Sequence, residues 1–143
     1  MAIHFTNTDT SFKLKNASLL KTWIKKIILA EKKELGKIYY VFLNDDELLK
    51  YNKKFLKHNT YTDIITFDYS SDKKLSAEIF ISTERVRDNA NKLSVPFEEE
   101  LHRVMIHGIL HLCGYKDKSK EAKLEMRKKE ESALKKLVKH FPK

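Results

Sequence analysis

Two histidines set four apart open the stretch His107-Gly-Ile-Leu-His111-Leu-Cys-Gly114-Tyr-Lys-Asp117. On a helix that spacing places both imidazoles on one side, one turn apart. A tetrahedral zinc ion takes nitrogen ligands at about 2.0–2.1 Å, and the pair supplies two of them. Gly114 lets the chain leave the helix and fold back, so that Asp117, three residues on, can offer a third ligand from the turn. Three protein ligands and an open fourth position describe a catalytic site, whereas a structural site normally closes with four. A bare HxxxH pair also arises on helices that hold no metal; the added glycine and aspartate favour the metal. The metalloprotease pattern HExxH carries its base directly after the first histidine. Here Gly108 stands in that place, which disfavours a protease and instead leaves room for another segment or a substrate to come close.

The elements that must position these residues can be read from apolar periodicity. A short strand is expected near Ile3–Phe5. Residues 17–33 read as a helix, with Leu20, Trp23, Ile24, Ile27 and Ile28 at helical spacing and Gly36 as its end. Lys37–Leu43 is β-branched and aromatic, hence a strand. Asn44 with Glu47 three residues on forms a capping-box pattern, and a helix should run from there to about Leu56. Asp63–Tyr69 and Leu75–Ser82 read as an antiparallel hairpin about a polar turn. Ser82 or Thr83 caps a helix to about Leu93. Pro96, followed by Glu98, Glu99 and Glu100, starts the histidine-bearing helix, where the dipole favours acids. Its core side is carried by Leu101, Val104, Met105, Gly108 and Leu112. A last helix covers about Ser119–His140, with Leu134, Leu137, Val138 and Phe141 on one face. The class is α+β: a single domain in which a small mixed β-sheet packs with about five helices, the metal-binding helix lying near the C-terminal third.

Composition narrows the functional classes. The 143 residues suit one domain. Gly and Pro total only five, which excludes collagen-like and linker-rich chains. One cysteine, Cys113, rules out an intrachain disulfide framework and points to a reduced compartment. The longest apolar run, Ile38–Leu43, is far short of a membrane span, and the N-terminus has no signal-peptide pattern, so a cytoplasmic protein is expected. The net charge is +9, distributed as +6 over residues 1–57, −3 over 58–115 and +6 over 116–143. Basic ends around a weakly acidic centre would draw a polyanion and leave room for a cation in the middle, although a lysine-rich solvated surface explains the charge equally well.

HGILHLCGYKD closely resembles the signature HGxLHLxGYDH of the YbeY endoribonucleases. The resemblance extends along most of the chain. Leu43-Asn44, Asn52 and Thr62-Asp63-Ile-Ile-Thr-Phe67 resemble that family's LN…TDVLSF block. Glu78-Ile79 with Ile81-Ser82 resembles its GDIxIS strand, and Met126 with Glu130 a downstream M…E pairing. Membership implies a small α+β domain, 1–143, with one zinc ion. It also implies cytoplasmic hydrolysis of single-stranded RNA in maturation of the 16S rRNA 3′ end and ribosome quality control, with small-subunit proteins as further partners. Three departures stand out. The family's third histidine falls on Asp117; carboxylate oxygen is a competent zinc ligand, though a harder one. The aspartate before it is Lys116. The arginine before the TD block falls on Leu56, leaving Lys54, Lys57 and His58 as candidates to bind RNA phosphate.

The implied chemistry is metal-assisted phosphodiester hydrolysis, in which zinc brings the pKa of bound water to about 7 and polarises a phosphoryl oxygen. The metal helix carries no obvious general base. Glu78 or Asp63 could orient water or a histidine, or equally serve as a cap or strand-edge residue. Cys113 lies roughly 200° around the helix from His111 and is read as core. His102 lies off the ligand face; His4, His58 and His140 have no partner spacing. Tyr61, Phe67 and Tyr69 could stack on unpaired bases, but such aromatics more often pack strands. Two alternatives remain: another zinc hydrolase acting on amide or small-molecule substrates, and a ribosome assembly factor that binds rRNA around a mainly structural zinc.

Overall fold

The computed structural model describes residues 2–8, 12–56 and 62–139. Nine elements follow in chain order: β1 (Ala2–Asn7), α1 (Ala17–Ala30), β2 (Glu34–Leu43), α2 (Asp45–Leu56), β3 (Ile64–Asp68), β4 (Lys74–Ser82), α3 (Thr83–Leu93), α4 (Phe97–Leu112) and α5 (Lys120–Val138). The strands form one mixed sheet in the order β1-β2-β4-β3. β1, β2 and β4 are parallel, and β3 closes one edge antiparallel to β4, as the hairpin reading requires. The domain is α+β, with a mixed sheet and five helices.

Alternation along the strands divides the apolar residues between two faces. Ile38, Tyr40 and Phe42 of β2 and Leu75, Ala77, Ile79 and Ile81 of β4 bury one face in a core shared with α1, α4 and α5. Leu43, Ile65 and Phe80 point the other way and meet Leu48 of α2. Two bonds tie the layers: Trp23 Nε1–H donates to the Ala133 carbonyl at 2.8 Å and the Tyr40 hydroxyl to the Met105 carbonyl at 2.9 Å. The capping box at α2 forms as expected, with Glu47 N–H donating to Asn44 Oδ1 at 2.8 Å and Asn44 N–H to Glu47 Oε1 at 3.3 Å.

Three expectations change. α1 ends at Ala30, not near 33, because Lys32 takes a left-handed φ of 62°. The N–H groups of Lys32 and Lys33 then donate to the carbonyls of Leu29 and Ile28, closing the helix without glycine. Gly36 lies instead inside β2, where the register with β4 shifts between Leu35 and Ile38. A Cβ there would sit 2.2 Å from Ser76 Oγ and 2.6 Å from the Leu75 carbonyl oxygen, so the glycine serves close strand approach. On α5 the buried line runs Met126, Glu130, Ala133, Leu137. Val138, one residue and about 100° further round, is 68% exposed, and Phe141 and His140 lie outside the described residues.

Candidate metal centre

α4 carries the histidines along the sheet. At Gly108 it packs closely: a Cβ would lie 3.1 Å from Ile64 Cδ1 and 3.3 Å from Ile79 Cδ1, so the segment admitted by the missing side chain is the sheet itself. The helix stops through Gly114, whose φ is +107°. Gly114 N–H donates to the His111 carbonyl and Tyr115 N–H to that of Leu110, at 3.0 and 3.1 Å, reversing the chain. That reversal returns Asp117 to the open side of the histidine pair.

His107 and His111 stand edge to face, ring centroids 4.5 Å apart. Asp117 Oδ2 lies 3.4 Å from His107 Nε2 and 3.2 Å from His111 Nε2. Ligand atoms of a tetrahedral ion with bonds of ~2.0–2.1 Å stand about 3.3–3.4 Å from one another, so these two separations match those of a shared ion. The three donor atoms lie within 4.8 Å of one another. The far side of each ring is held as a metal ligand's should be. His111 Nδ1 lies 2.9 Å from the Tyr115 carbonyl oxygen, which can only accept, so the proton is on Nδ1 and the Nε2 lone pair faces Asp117. His107 Nδ1 lies 2.5 Å from Glu130 Oε2. Lone pairs and a carboxylate converging on one point need a cation or a proton between them. The residues present therefore fit a divalent metal ion.

The surroundings support this polarity. Burial alone would lower the His107 pKa, but the hydrogen bond and charge of Glu130, with Asp117 and Asp63, outweigh it, and the net shift is upward. Glu130 is buried and anchored by Arg103, whose Nη1 lies 3.3 Å from its Oε1; Arg103 also meets Glu131 at 2.9 Å and Glu100 at 3.5 Å. Asp63, just before β3, shares the cleft with His107, His111 and Asp117. Burial pushes its carboxyl pKa up, opposed chiefly by His107. Asn89 Nδ2 donates to it at 3.4 Å. The cleft runs between α4, the outer edge of β3 and the first turns of α5, and the part beside β3 has a volume of about 550 Å³.

Of the residues expected from sequence, His107, His111, Asp117 and Asp63 come together here. Glu78 does not. It projects on the sheet face of Phe80, opposite to that of Ile79 on which α4 packs, and accepts from the Tyr69 hydroxyl at 2.9 Å. Lys54 is exposed on α2, beside Glu47, Lys50 and Tyr51, and does not line the histidine cleft; Lys57, His58 and Tyr61 lie outside the described residues. Phe67 packs edge-on against Phe80, and His4 stacks on Tyr39. His102 is buried against Trp23, and Cys113 is half-buried against the core with its thiol pKa pushed up to about 11 by burial. Sequence reasoning missed the roles of Glu130 and Tyr115. Glu130 is 23 residues from His107, beyond any local spacing rule, and the Tyr115 group is a backbone carbonyl with no side-chain signal.

Comparison with known proteins agrees with this geometry. Residues 3–138 match the family described as Endoribonuclease YbeY. A protein named Endoribonuclease YbeY from Flavobacterium psychrophilum is 49% identical over 129 residues, covering 90% of this chain and 92% of its own. One of the same name from Cytophaga hutchinsonii is 45% identical over 133 residues, covering 92% and 93%. The solution structure of TM1509 from Thermotoga maritima superposes with a TM-score of 0.66 at 26% identity, covering 94% of this chain and 88% of that one.

Proposed function

The chain belongs to the YbeY endoribonuclease family, and from that premise we propose that it is a single-strand-specific, zinc-dependent endoribonuclease. The observation that carries this reading is the convergence of His107 Nε2, His111 Nε2 and Asp117 Oδ2 in an open cleft. Three donors leave a coordination position for water or substrate, which favours a catalytic over a mainly structural ion. Family membership and Gly108 in place of the protease glutamate disfavour another zinc hydrolase.

A zinc ion bound to these three residues would supply an acidified water and positive charge toward a phosphoryl oxygen. The remaining work falls to the chain. Glu130 and the Tyr115 carbonyl fix both rings so that each presents Nε2 to the cleft. Asp63 is our candidate to take a proton from an attacking water, because it lines the same cleft and burial raises its carboxyl pKa, which favours proton uptake. We assign the substrate as single-stranded rRNA, in 16S 3′-end maturation and ribosome quality control, with small-subunit proteins as further contacts. An rRNA substrate puts the proposed activity in the cytoplasm. Among the described residues no helix is long and apolar enough to cross a membrane.

The test pairs elemental analysis with cleavage. Purified protein is expected to hold about one zinc, to cut single-stranded rRNA fragments in preference to duplexes, and to stop when a chelator is added. RNA binding without chelator-sensitive cutting refutes the nuclease reading.

A further inference from the structure

Lys54, the described residue among those expected to hold RNA phosphate, does not line the histidine cleft, and other cations do. Lys120, Lys123 and Arg127 line it together with His107, Asp117 and Glu130. They recur at i, i+3 and i+7 on α5, which puts them on one face of the helix. Lys118 enters the same cleft from the turn before α5. None of these four forms an ion pair among the described residues, whereas Lys129, on another face of α5, is held by Glu31 and Arg103 by three glutamates.

The opposite wall differs. There the edge of β3 presents Thr62, Asp63, Thr66 and Asp68. A polyanion lying across the donor triad meets the Asp63 and Asp68 carboxylates on one side and, on the other, cations that form no ion pair among the described residues, so its charge has one side to rest on. Leu124, 58% exposed between Lys123 and Arg127, gives that side an apolar surface on which a ribose can pack. The first turn of α5, capped by the Ser119 hydroxyl on Ala122 N–H, adds the positive end of the helix dipole.

We propose that Lys120, Lys123 and Arg127 form the phosphate track of this protein, holding the backbone of single-stranded RNA along α5 beside the metal centre. The proposal rests on the nuclease reading for its ligand class but not for its test. Each phosphate contact to a single strand contributes a slope of about −0.7 in log K against log salt concentration. Losing three flattens the slope by about 2, so between 50 and 200 mM salt the wild type should weaken roughly 20-fold more than the variant.

The probe is a fluorescein-labelled 12-nucleotide oligouridylate, titrated by anisotropy with the full chain in excess EDTA, where no cutting occurs. The triple variant Lys120→Ala/Lys123→Ala/Arg127→Ala is compared with Lys128→Ala/Lys135→Ala/Lys136→Ala. The second removes equal charge from exposed positions on the same helix outside the cleft. Weak binding with a flattened slope in the first triple alone is the expected result. Equal behaviour of the two triples, or no binding by the wild type at 50 mM salt, overturns the track. If the wild type binds through this face yet leaves RNA uncut with metal restored, the track stands and the nuclease reading falls. If it cuts RNA while both triples bind alike, the nuclease reading stands and the track falls.

Discussion

Replacing Glu130 with alanine removes the acceptor at 2.5 Å from His107 Nδ1 and leaves the three donors His107, His111 and Asp117 unchanged. Two consequences follow, and they can be separated by pH. The first is loss of orientation: the ring is free to rotate, and Nδ1 no longer has a partner that keeps the Nε2 lone pair directed at Asp117. Such outer partners of metal-bound histidine are worth about 10–100-fold in affinity, or ~1.4–2.7 kcal/mol. The second is electrostatic. Glu130 is the chief group raising the His107 pKa against burial, and a metal must displace the proton from this nitrogen. Wild-type affinity should therefore decline as pH falls through that raised pKa. In Glu130→Ala the pKa drops, and the decline moves to lower pH. Measurement on the alkaline plateau of each pH profile, where affinity no longer changes with pH, isolates the orientation effect. Folding should survive, because Arg103 keeps Glu131 at 2.9 Å and Glu100 at 3.5 Å and escapes the ~3–5 kcal/mol of a fully orphaned buried charge. Competition with a chromogenic chelator gives the affinity. Glu131→Ala is the control, since it touches Arg103 but not His107. Wild-type zinc affinity for Glu130→Ala on that plateau would refute the orienting role of α5.

Gly36→Ala should cost ~1–3 kcal/mol and lower Tm by several degrees, because its Cβ would press on Ser76 Oγ and the Leu75 backbone oxygen; an unchanged thermal melt contradicts the close approach of β2 and β4. His102 is buried neutral, its pKa lowered by burial and only partly restored by Glu98. As pH falls below about 6.5 the unfolded state takes up a proton that the folded state refuses, so stability declines until the lowered pKa is passed and then levels off. His102→Gln should lose that part of the acid sensitivity, read as the shift in urea midpoint between pH 7.5 and 5.0; an identical shift in both proteins counts against it.

Local rules carried much of this protein. Helix and strand placement followed from apolar periodicity, the capping box at Asn44 and Glu47 formed as read, and the histidine spacing with Gly114 and Asp117 gave three donors to one point. Those features depend on residues within a turn or two of each other, where backbone geometry alone sets the distance. What lay beyond was decided by packing. Gly36 looked like a helix end because glycine commonly is one, yet Lys32 adopts the left-handed turn and the glycine is needed by a strand 40 residues further on, where Ser76 sits. Glu78 and Asp63 were indistinguishable as carboxylates in neighbouring strands; Glu78 lies inside β4 on the face turned from α4, whereas Asp63 stands just before β3, outside the strand, and lines the cleft. Glu130 reaches His107 only because α5 folds back on α4, and the same docking brings Lys120, Lys123 and Arg127 to the cleft. A sequence states which side chains a helix presents on one face. Which other element that face meets is settled by burial of the apolar line Met126, Ala133, Leu137, and the polar residues beside that line are carried to the site with it.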